Sequence, residues 1–543
     1  MSRQPPAAPR SSLLLVAAGA VAAAALATFA PTLGHGFVNW DDDAYVYANP
    51  MIHPLTARTV GWIVSHFYYY AYIPVTLLSH ALDVAVWGMN PRGHHAMNVL
   101  LHAANAVWVL LVGLLLLRAG PRRPRASPLA GMSLAALLFA VHPLRAESVS
   151  WISDRKDLLC TFFFLPALGA YLQYARLRGT GREKGWWAAT FLLFLLAVLS
   201  KSTAVVFPFL ALSLDWLWLR HPTDKVGRMR LFREKIPFTL VSVTLTILSL
   251  SQAPNALKAY AISHLSAVER FLFPFYSVMF ALYKTALPVH LSPIYPGVDL
   301  GPMIACAVLA VAITAFSAWL AFRKRPGPAA VWTSYLLLLL PNVFGLSSGM
   351  QPVADRYSYL STIGFYVLLG AAVSWAWERG GMRRLAAVLG CVLLVAASVG
   401  RTLAQSAHWK SSISLWEYVV GSSPPKPDYT DAYLNLGTAY AQSGRNAEAA
   451  MVLERAAAID PGRADVLENL GVIQYGEGDR ERAAESFRRA TVADPHLAVA
   501  FYNLGIVSDE LGRTADALEA MTRAAGLGST DAQAALKSYR PRP

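Results

Sequence analysis

Charged side chains and cysteines are scarce in this sequence of 543 residues. Only 15% of its residues are Asp, Glu, Lys or Arg, whereas a soluble domain typically has roughly 25%. With 55% hydrophobic residues and a mean hydropathy of +0.39, lipid must replace water over much of the surface. The three cysteines lie in apolar runs without CxxC spacing, which argues against disulfides and a zinc-thiolate site.

The basic excess is confined to one part of the chain. Residues 1–428 carry 35 basic and 17 acidic side chains, whereas residues 429–543 carry 12 and 16. Most basic residues of the first part stand in short loops between apolar runs. A nucleic-acid interface would instead gather them on one soluble face with aromatic side chains. We therefore expect membrane lipid, and no nucleic acid, as a partner.

Apolar runs long enough to cross a bilayer fill the first 404 residues. A spanning helix needs about 20 mostly apolar residues, because lipid offers no hydrogen bonds to an open backbone. We predict eleven spans, at 12–33, 96–117, 128–143, 157–175, 186–200, 203–219, 236–252, 302–322, 329–346, 357–377 and 385–404. Residues 269–290 are also apolar, but a crossing there would invert every later loop. We predict that this segment is re-entrant or interfacial.

Loop charges predict the orientation of these spans. Lys and Arg crowd the N-terminal tail and the segments 118–125, 176–184, 220–235, 323–325 and 379–384. The positive-inside rule makes these places cytoplasmic, so the first loop and the C-terminal region should lie outside. The first apolar run is long for a secretory signal, which favours a retained span. Cleavage would leave the same topology.

A 34-residue repeat occupies the C-terminal region. Asn-Leu-Gly occurs at 435–437, 469–471 and 503–505, a period typical of the tetratricopeptide helix-turn-helix. We predict a membrane domain at 1–404, a connecting helix and Pro/Ser linker at 405–429, and repeats at 430–463, 464–497 and 498–531 with a capping helix at 531–540. The equivalent Asn435, Asn469 and Asn503 could bind the backbone of an extended acceptor peptide, or be ordinary features of the repeat.

Three adjacent carboxylates, Asp41, Asp42 and Asp43, follow the first span among aromatic residues. Burial at the interface can raise a carboxylate pKa and suit the group to take a proton. The D-x-D spacing also resembles sites that hold a divalent cation against a nucleotide sugar. Nucleotide sugars are cytosolic, whereas this loop is predicted to lie outside, where a lipid-linked sugar is the available donor. Plain solvated carboxylates are the alternative.

Four motifs together carry a family resemblance. They are F-x-x-W-D-D from Phe37 with Asn49-Pro50, and the segments 142–159, 200–212 and 353–360. With these motifs and its repeats, the sequence resembles the membrane O-mannosyltransferase family with C-terminal tetratricopeptide repeats, of the GT-C class. The implied fold class is all-α, a polytopic membrane helical bundle of GT-C type followed by an α-solenoid of tetratricopeptide repeats.

The resemblance implies transfer of mannose from a polyprenyl or dolichyl phosphate to a protein Ser/Thr hydroxyl. Its general base would be Asp41 or Asp42, in an inverting displacement. The lipid-linked sugar is the expected donor, and neither another cofactor nor a divalent metal is expected. An acceptor protein, recruited by the repeats, is the expected partner.

A lipid phosphate needs cations near the outer surface. We predict that Arg155, Lys156, Lys201 and Arg356 bind it, because charges beside apolar runs are costly without an anionic partner. Snorkelling, or pairing with nearby carboxylates, is the alternative. Those carboxylates are Glu147, Asp154, Asp157 and Asp355.

Three further residues, Asp43, His142 and Glu147, are predicted to support this site. A structural cap is the alternative for His142, which stands at the end of a predicted span. His94, His95 and His102 are of metal-binding type, but their spacing along one helix requires a partner that the sequence does not identify. No metal site is predicted.

A non-enzymatic membrane scaffold, or a transporter, with protein-binding repeats is the alternative function. A simple anchor would not need so many spans, whereas a transporter would also place charges within the membrane. The Ala-, Arg- and Gly-rich composition and the lack of an ER-retention tail favour a bacterial plasma membrane. The repeats would then lie on the periplasmic or extracellular side.

Overall fold

The computed structural model describes residues 11–69, 71–120, 128–219, 225–257, 265–343, 351, 353–422 and 425–538. Two compact units are present, Met1–Lys410 and Ser411–Pro543. Some predicted features lie wholly or partly outside the described residues. These are the N-terminal tail with Arg3 and Arg10, the loops 118–125 and 220–235, the end of span 329–346 and the end of the capping helix 531–540.

Seventeen α-helices are described in the first unit. They are α1 (Ser11–Phe29), α2 (Ala57–Ser65), α3 (Pro74–Trp87), α4 (Pro91–Ala119), α5 (Leu129–Val141), α6 (Arg145–Ser150), α7 (Arg155–Leu177), α8 (Lys184–Ser200), α9 (Phe207–Leu217), α10 (Lys225–Arg233), α11 (Ile236–Leu257), α12 (Ala267–Ala286), α13 (Leu300–Phe322), α14 (Gly327–Val343), α15 (Ser358–Ser361), α16 (Ile363–Arg379) and α17 (Gly381–His408). The described part of this unit contains no strand.

Six helical stretches among the described residues are long and apolar enough to cross a membrane. They are Ser11–Gly34, Pro91–Ala119, Ile152–Leu177, Val226–Ser251, Leu300–Phe322 and Gly381–His408. Asp355–Ser361 and Ile363–Arg379, bent by 56°, would make a seventh if they form one span. The chain is therefore a multi-pass membrane protein. Every predicted span overlaps a helix of the described residues, but several of these helices are short, so the number eleven stays a prediction.

The main core of the first unit lies between helices that are distant in sequence. Apolar side chains of α1, α4, α5, α7, α8 and α16 meet there, with Val109, Phe139 and Phe164 almost fully buried. Helices α5 and α16 approach closely because small residues face each other. A Cβ atom on Gly131 would stand 2.3 Å from the carbonyl oxygen of Gly370, a close approach typical of helix pairs in membranes.

Helix α6 is buried along its whole length although it carries charged residues. The turn Trp151–Asp154 joins it to α7. The Trp151 indole stacks on Trp409 with ring centroids 5.8 Å apart, and its N–H donates to the Trp40 carbonyl. This turn therefore holds the first predicted outer loop against the start of α7.

The second unit is a row of helix pairs. Its helices are α18 (Ser412–Ser422), α19 (Thr430–Gln442), α20 (Asn446–Ile459), α21 (Ala464–Gly476), α22 (Arg480–Ala493), α23 (Ala498–Glu510), α24 (Thr514–Gly526) and α25 (Thr530–Ser538). A Cβ on Gly471 would lie 2.7 Å from the Phe487 ring, so glycine allows α21 and α22 to pack closely. Gly478, with φ of +85°, lies in the turn between them.

These two units confirm the all-α fold class, a polytopic membrane bundle together with a helical solenoid. The predicted domain limits at 404, 429 and 430 stay predictions. In the structure α17 continues to His408, and the first unit ends at Lys410.

Candidate functional site

Asp42 is held inside the protein by three hydrogen bonds. Its Oδ1 accepts from the Ser153 main-chain N–H at 2.9 Å and from the Ser153 hydroxyl at 2.6 Å. Its Oδ2 accepts from the Val38 N–H at 3.0 Å. The side chain is 1% exposed, so both carboxylate oxygens are engaged in fixing the loop to the turn before α7.

Burial also controls the protonation of Asp42. Desolvation raises the pKa of this carboxyl from 3.8 to about 7, although the hydrogen bonds from Ser153 and Val38 act in the opposite direction. An acid with such a pKa is suited to proton transfer near neutral pH. Its two oxygens, however, already have donors, which limits its access to a substrate hydroxyl.

Asp41 differs from its neighbour in both backbone and contacts. It has φ of +66°, a left-handed conformation that costs a non-glycine residue about 1–3 kcal/mol and often marks functional sites. The residue is partly exposed, and its carboxylate forms no ion pair with any described residue. It lies within electrostatic reach of Lys156. Asp41 is therefore the more accessible carboxylate of the two.

Lys156 is buried in an aromatic setting. Its ammonium lies 4.9 Å from the centre of the Tyr45 ring and 5.2 Å from that of Trp151. Among the described residues this ammonium has no carboxylate partner within ion-pair distance, and only 4% of the residue is exposed. Rings can stabilise a cation, but they leave its N–H groups available to an anion.

Lys201 and Arg356 are already paired with carboxylates. The Lys201 ammonium donates to Asp157 Oδ1 and Oδ2 at 2.8 and 2.7 Å. Arg356 donates from its guanidinium to Glu147 at 2.6 Å and from its main chain at 2.8 Å. Pairing, the alternative weighed for these residues, therefore occurs in both. Their charges still act together with Lys156 on Asp154.

Arg155, although adjacent in sequence, is directed elsewhere. Its guanidinium contacts Asp83 and donates to Asn98 Oδ1 at 2.8 Å and to the His94 carbonyl at 2.8 Å. The residue is fully buried. The structure thus brings Lys156, Lys201 and Arg356 together around Asp154, whereas Arg155 connects α7 to α3 and α4.

The predicted supporting residues have separate positions. Glu147 holds Arg356, as described above. His142 follows α5 and is buried, and its Nδ1 accepts from the Leu144 N–H at 3.4 Å, which matches a cap at the helix end. Asp43 begins the short helical turn Asp43–Tyr47 and is partly exposed.

Ser153 and Tyr45, which the sequence did not single out as site residues, complete this region together with Asp154, which the sequence indicated only as a pairing partner. Ser153 holds Asp42, and Tyr45 provides one wall around Lys156. Asp154 is fully buried, and neither of its carboxylate oxygens has a hydrogen-bond partner among the described residues. The interleaved charges of residues 154–157 indicated Asp154 as a pairing partner, a pairing that it does not form among the described residues. A lone serine such as Ser153 gives no sequence signal.

His94, His95 and His102 do not converge on one point. His95 Nε2 lies 3.3 Å from the Gly36 carbonyl, and His102 lies 2.7 Å from the Tyr359 hydroxyl and 2.8 Å from the Ala140 carbonyl. His94 instead faces α3, where Asp83 Oδ2 is 3.4 Å from its Nδ1.

The three asparagines occupy the sixth position of α19, α21 and α23. Asn469 donates to the Asp465 carbonyl at 2.8 Å and Asn503 to Glu468 at 2.9 Å. These hydrogen bonds use the side-chain N–H groups of Asn469 and Asn503, and the amide oxygens of the two residues take no part in them. All three residues are partly exposed.

Comparisons with known proteins match the C-terminal repeats and segments of named O-mannosyl-transferases. A tetratricopeptide-repeat family model matches residues 400–464 and 469–532. The protein O-mannosyl-transferase TMTC4 of Mus musculus is 35% identical over 127 residues, which are 22% of this chain and 17% of that protein. Tmtc1 of Drosophila melanogaster is 35% identical over 192 residues, 34% of this chain and 21% of that protein. The resemblance predicted from the sequence is confirmed.

The matched segments span about a fifth of the length of these relatives. Among solved structures, the apo oligosaccharyltransferase of Archaeoglobus fulgidus is 14% identical and has a TM-score of 0.43, covering 78% of this chain and 59% of that one.

Proposed function

We propose that this protein is a membrane glycosyltransferase of the GT-C class. It moves a sugar, mannose, from a polyprenyl-phosphate donor to a Ser/Thr hydroxyl of a protein on the non-cytosolic side. The observation that carries the proposal is the placement of the accessible Asp41 carboxylate within electrostatic reach of Lys156, a buried cation with no carboxylate partner among the described residues. The similarity to named O-mannosyl-transferases supports the sugar and the acceptor class.

Asp41 acts as the general base. The acceptor hydroxyl gives its proton to this carboxylate while its oxygen forms a bond to the anomeric carbon. The bond from that carbon to the phosphate oxygen breaks, and polyprenyl phosphate leaves with the electron pair. Attack from the opposite face inverts the configuration. Asp42, whose oxygens are bound by Ser153 and Val38, holds the loop that carries Asp41.

The donor phosphate is bound by Lys156. Its ammonium can offer N–H groups without first leaving a carboxylate, whereas Lys201 and Arg356 would have to share theirs with Asp157 and Glu147. Charge-assisted hydrogen bonds to phosphate are strong in a site shielded from water. The paired cations Lys201 and Arg356 add positive potential near Lys156. Asp154 remains available to accept hydrogen bonds from sugar hydroxyls.

The repeats recruit the acceptor protein. An extended peptide along the first helices of the pairs could donate main-chain N–H groups to the amide oxygens of Asn435, Asn469 and Asn503. This mode reads the backbone rather than the side chains, which suits acceptors of varied sequence. We place the repeats and the first loop at the outer face of a bacterial plasma membrane.

Transfer assays with Asp41→Asn test the catalytic role. With polyprenyl-phosphate mannose and a Ser/Thr peptide, kcat should fall roughly 10²- to 10⁴-fold, because a neutral amide cannot take the proton. Asp299→Asn is the matched control, since Asp299 is an exposed carboxylate in another predicted outer loop. It should leave kcat unchanged. An Asp41→Asn variant that keeps kcat within a few-fold of the wild type would remove the proposed base.

Labelling of the first loop tests the membrane side. Tyr47 is 37% exposed, so a Tyr47→Cys variant should react with a membrane-impermeant maleimide in intact cells. The same reagent should miss a Lys184→Cys variant, which carries the new thiol at the predicted cytoplasmic start of α8. The reverse pattern would leave the chemistry without its lipid-linked donor.

A further inference from the structure

Three side chains of metal-binding type meet between α3 and α4. His80 and Asp83 are one turn apart on α3 and share a face, and His94 faces them from α4. One ring nitrogen of each histidine and one Asp83 oxygen lie within 4.8 Å of one another. The three residues are 0%, 3% and 0% exposed. Two imidazoles and one carboxylate form the ligand set of many zinc sites.

Hydrogen bonding leaves ligand lone pairs directed at the centre of this cluster. His94 Nε2 is 3.0 Å from the Gly88 carbonyl, which can only accept, so Nε2 carries the proton. The Nδ1 of this neutral ring then presents a lone pair to Asp83 Oδ2 at 3.4 Å. A backbone carbonyl that orients a histidine in this way is typical of metal sites. The Arg155 guanidinium contacts the same Asp83 oxygen, so a metal at this point would have to share or replace that contact.

His80 provides the second, independent sign. Neither of its ring nitrogens has a hydrogen-bond partner among the described residues, although the ring is fully buried. Leaving a buried polar group without a partner destabilises the fold. A metal bond to one nitrogen would offset that cost. Protonation of His94 alone would explain its contact with Asp83 but would leave His80 unpaired.

The Arg155 guanidinium, which contacts Asp83, opposes a second cation. It does not depend on Asp83 alone, because Asn98 and the His94 carbonyl also accept from it. Arg155 contacts Asp83 Oδ2, the same oxygen that faces His94. A rotation of the carboxylate would leave Oδ1 to Arg155 and Oδ2 to the metal. The ligand atoms must move together to roughly 3.4 Å apart for tetrahedral binding, a shift that side-chain rotation can provide.

We infer that His80, Asp83 and His94 bind one divalent transition metal, with zinc the best match to this ligand set. The ion joins α3 to α4 and fixes the carboxylate that holds Arg155 at the start of α7. The sequence, in contrast, predicted no metal site. The site is distinct from Asp41 and Lys156, and it takes no part in the proposed transfer step.

Metal content of the purified full-length chain tests this inference. The protein in detergent is loaded with ZnCl2, desalted and measured by inductively coupled plasma mass spectrometry, and the same is done with CoCl2 and visible spectroscopy. About one zinc per chain should remain, and bound cobalt should show the intense bands of a tetrahedral site. Stripping the metal with a chelator should lower Tm, because the ion binds only the folded state.

Variants locate the ion. His80→Gln, Asp83→Asn and His94→Gln should each retain less than a tenth of the zinc, and a chelator should no longer change their Tm. His95→Gln is the matched control, since His95 is equally buried on α4 but bonds to Gly36. It should retain the zinc. Should a ligand variant fail to fold, the cobalt spectrum of the wild type still decides. Zinc-free wild type after loading, absent cobalt bands, or equal zinc in the ligand variants would each overturn the inference.

Discussion

The Asp42 carboxylate accepts both the main-chain and the side-chain hydrogen bond of Ser153, which lies 111 residues later in the sequence. This contact joins the first predicted outer loop to the turn before α7. Lys156, in the first turn of α7, lies against the rings of Tyr45 and Trp151. The Asp42 carboxylate therefore holds the loop in place. Asp41 is the carboxylate that remains accessible to a substrate.

The pH dependence of stability should depend on Asp42. Burial raises its pKa to about 7 from 3.8, so the folded state holds this proton more tightly than the unfolded chain does. Its contribution to stability is full below about pH 4 and is lost as the pH rises through 7. Asp42→Asn cannot titrate, so thermal unfolding in detergent should show the variant gaining on the wild type between pH 4 and pH 8. Parallel profiles of the two proteins would contradict this assignment.

Removal of the Lys156 charge should weaken donor binding. Lys156→Met keeps much of the apolar stem between Tyr45 and Trp151 but removes the ammonium, so KM for the polyprenyl-phosphate sugar should rise at least tenfold, while KM for the acceptor peptide stays the same. Lys184→Met, at the exposed start of α8, is the control and should behave like wild type. An unchanged donor KM in Lys156→Met would show that the phosphate binds elsewhere.

The Lys201–Asp157 pair should be a structural unit. Lys201→Met leaves the Asp157 carboxylate buried without its partner, which typically costs about 3–5 kcal/mol. The double variant Lys201→Met, Asp157→Leu removes both charges and should recover most of the lost Tm. Thermal unfolding of the wild type, both single variants and the double variant measures this coupling. Additive losses would indicate that the two charges do not act together.

The sequence predicted the helices and the repeats well, because both leave periodic local signals. Apolar runs gave the positions of helices in the first unit, and the 34-residue period placed Asn435, Asn469 and Asn503 at one helix position. The partners of the charged residues have no such signal. Glu147 and Arg356 are 209 residues apart, and only the folded bundle brings them together.

The same limit applies to the carboxylates and to His94. Adjacent aspartates are equivalent in a sequence, but hydrogen bonds to Ser153 and the left-handed backbone of Asp41 make them different in the structure. The partner that His94 needed for metal binding is on α3, not on its own helix. Spacing along one helix could not reveal it.

Close packing in the second repeat should depend on Gly471. Gly471→Ala places a methyl group 2.7 Å from the Phe487 ring, so the ring or helix α22 must shift, which should cost about 1–3 kcal/mol. Hydrogen exchange across these two helices in the full-length chain should become faster. Gly476→Ala is the control, because nothing lies within 4 Å of its Cβ position. It should leave exchange unchanged or slower, and equal effects of both variants would contradict the packing argument.

Acceptor capture by the repeats should depend on the asparagine amides. Asn469→Ala removes a side chain whose N–H already bonds within α21, so the repeat loses little of its own structure while a bound peptide loses a possible acceptor. We expect KM for a Ser/Thr peptide to rise several-fold with kcat unchanged, and Asn469→Ala combined with Asn503→Ala to raise it further.

Gln442→Ala, at the exposed end of α19, provides the comparison. If the double variant and Gln442→Ala both keep the wild-type KM for the peptide, the asparagines do not contribute to acceptor binding. A fall in kcat at constant KM would instead mean that these residues influence the transfer step, and would contradict a role in acceptor binding alone.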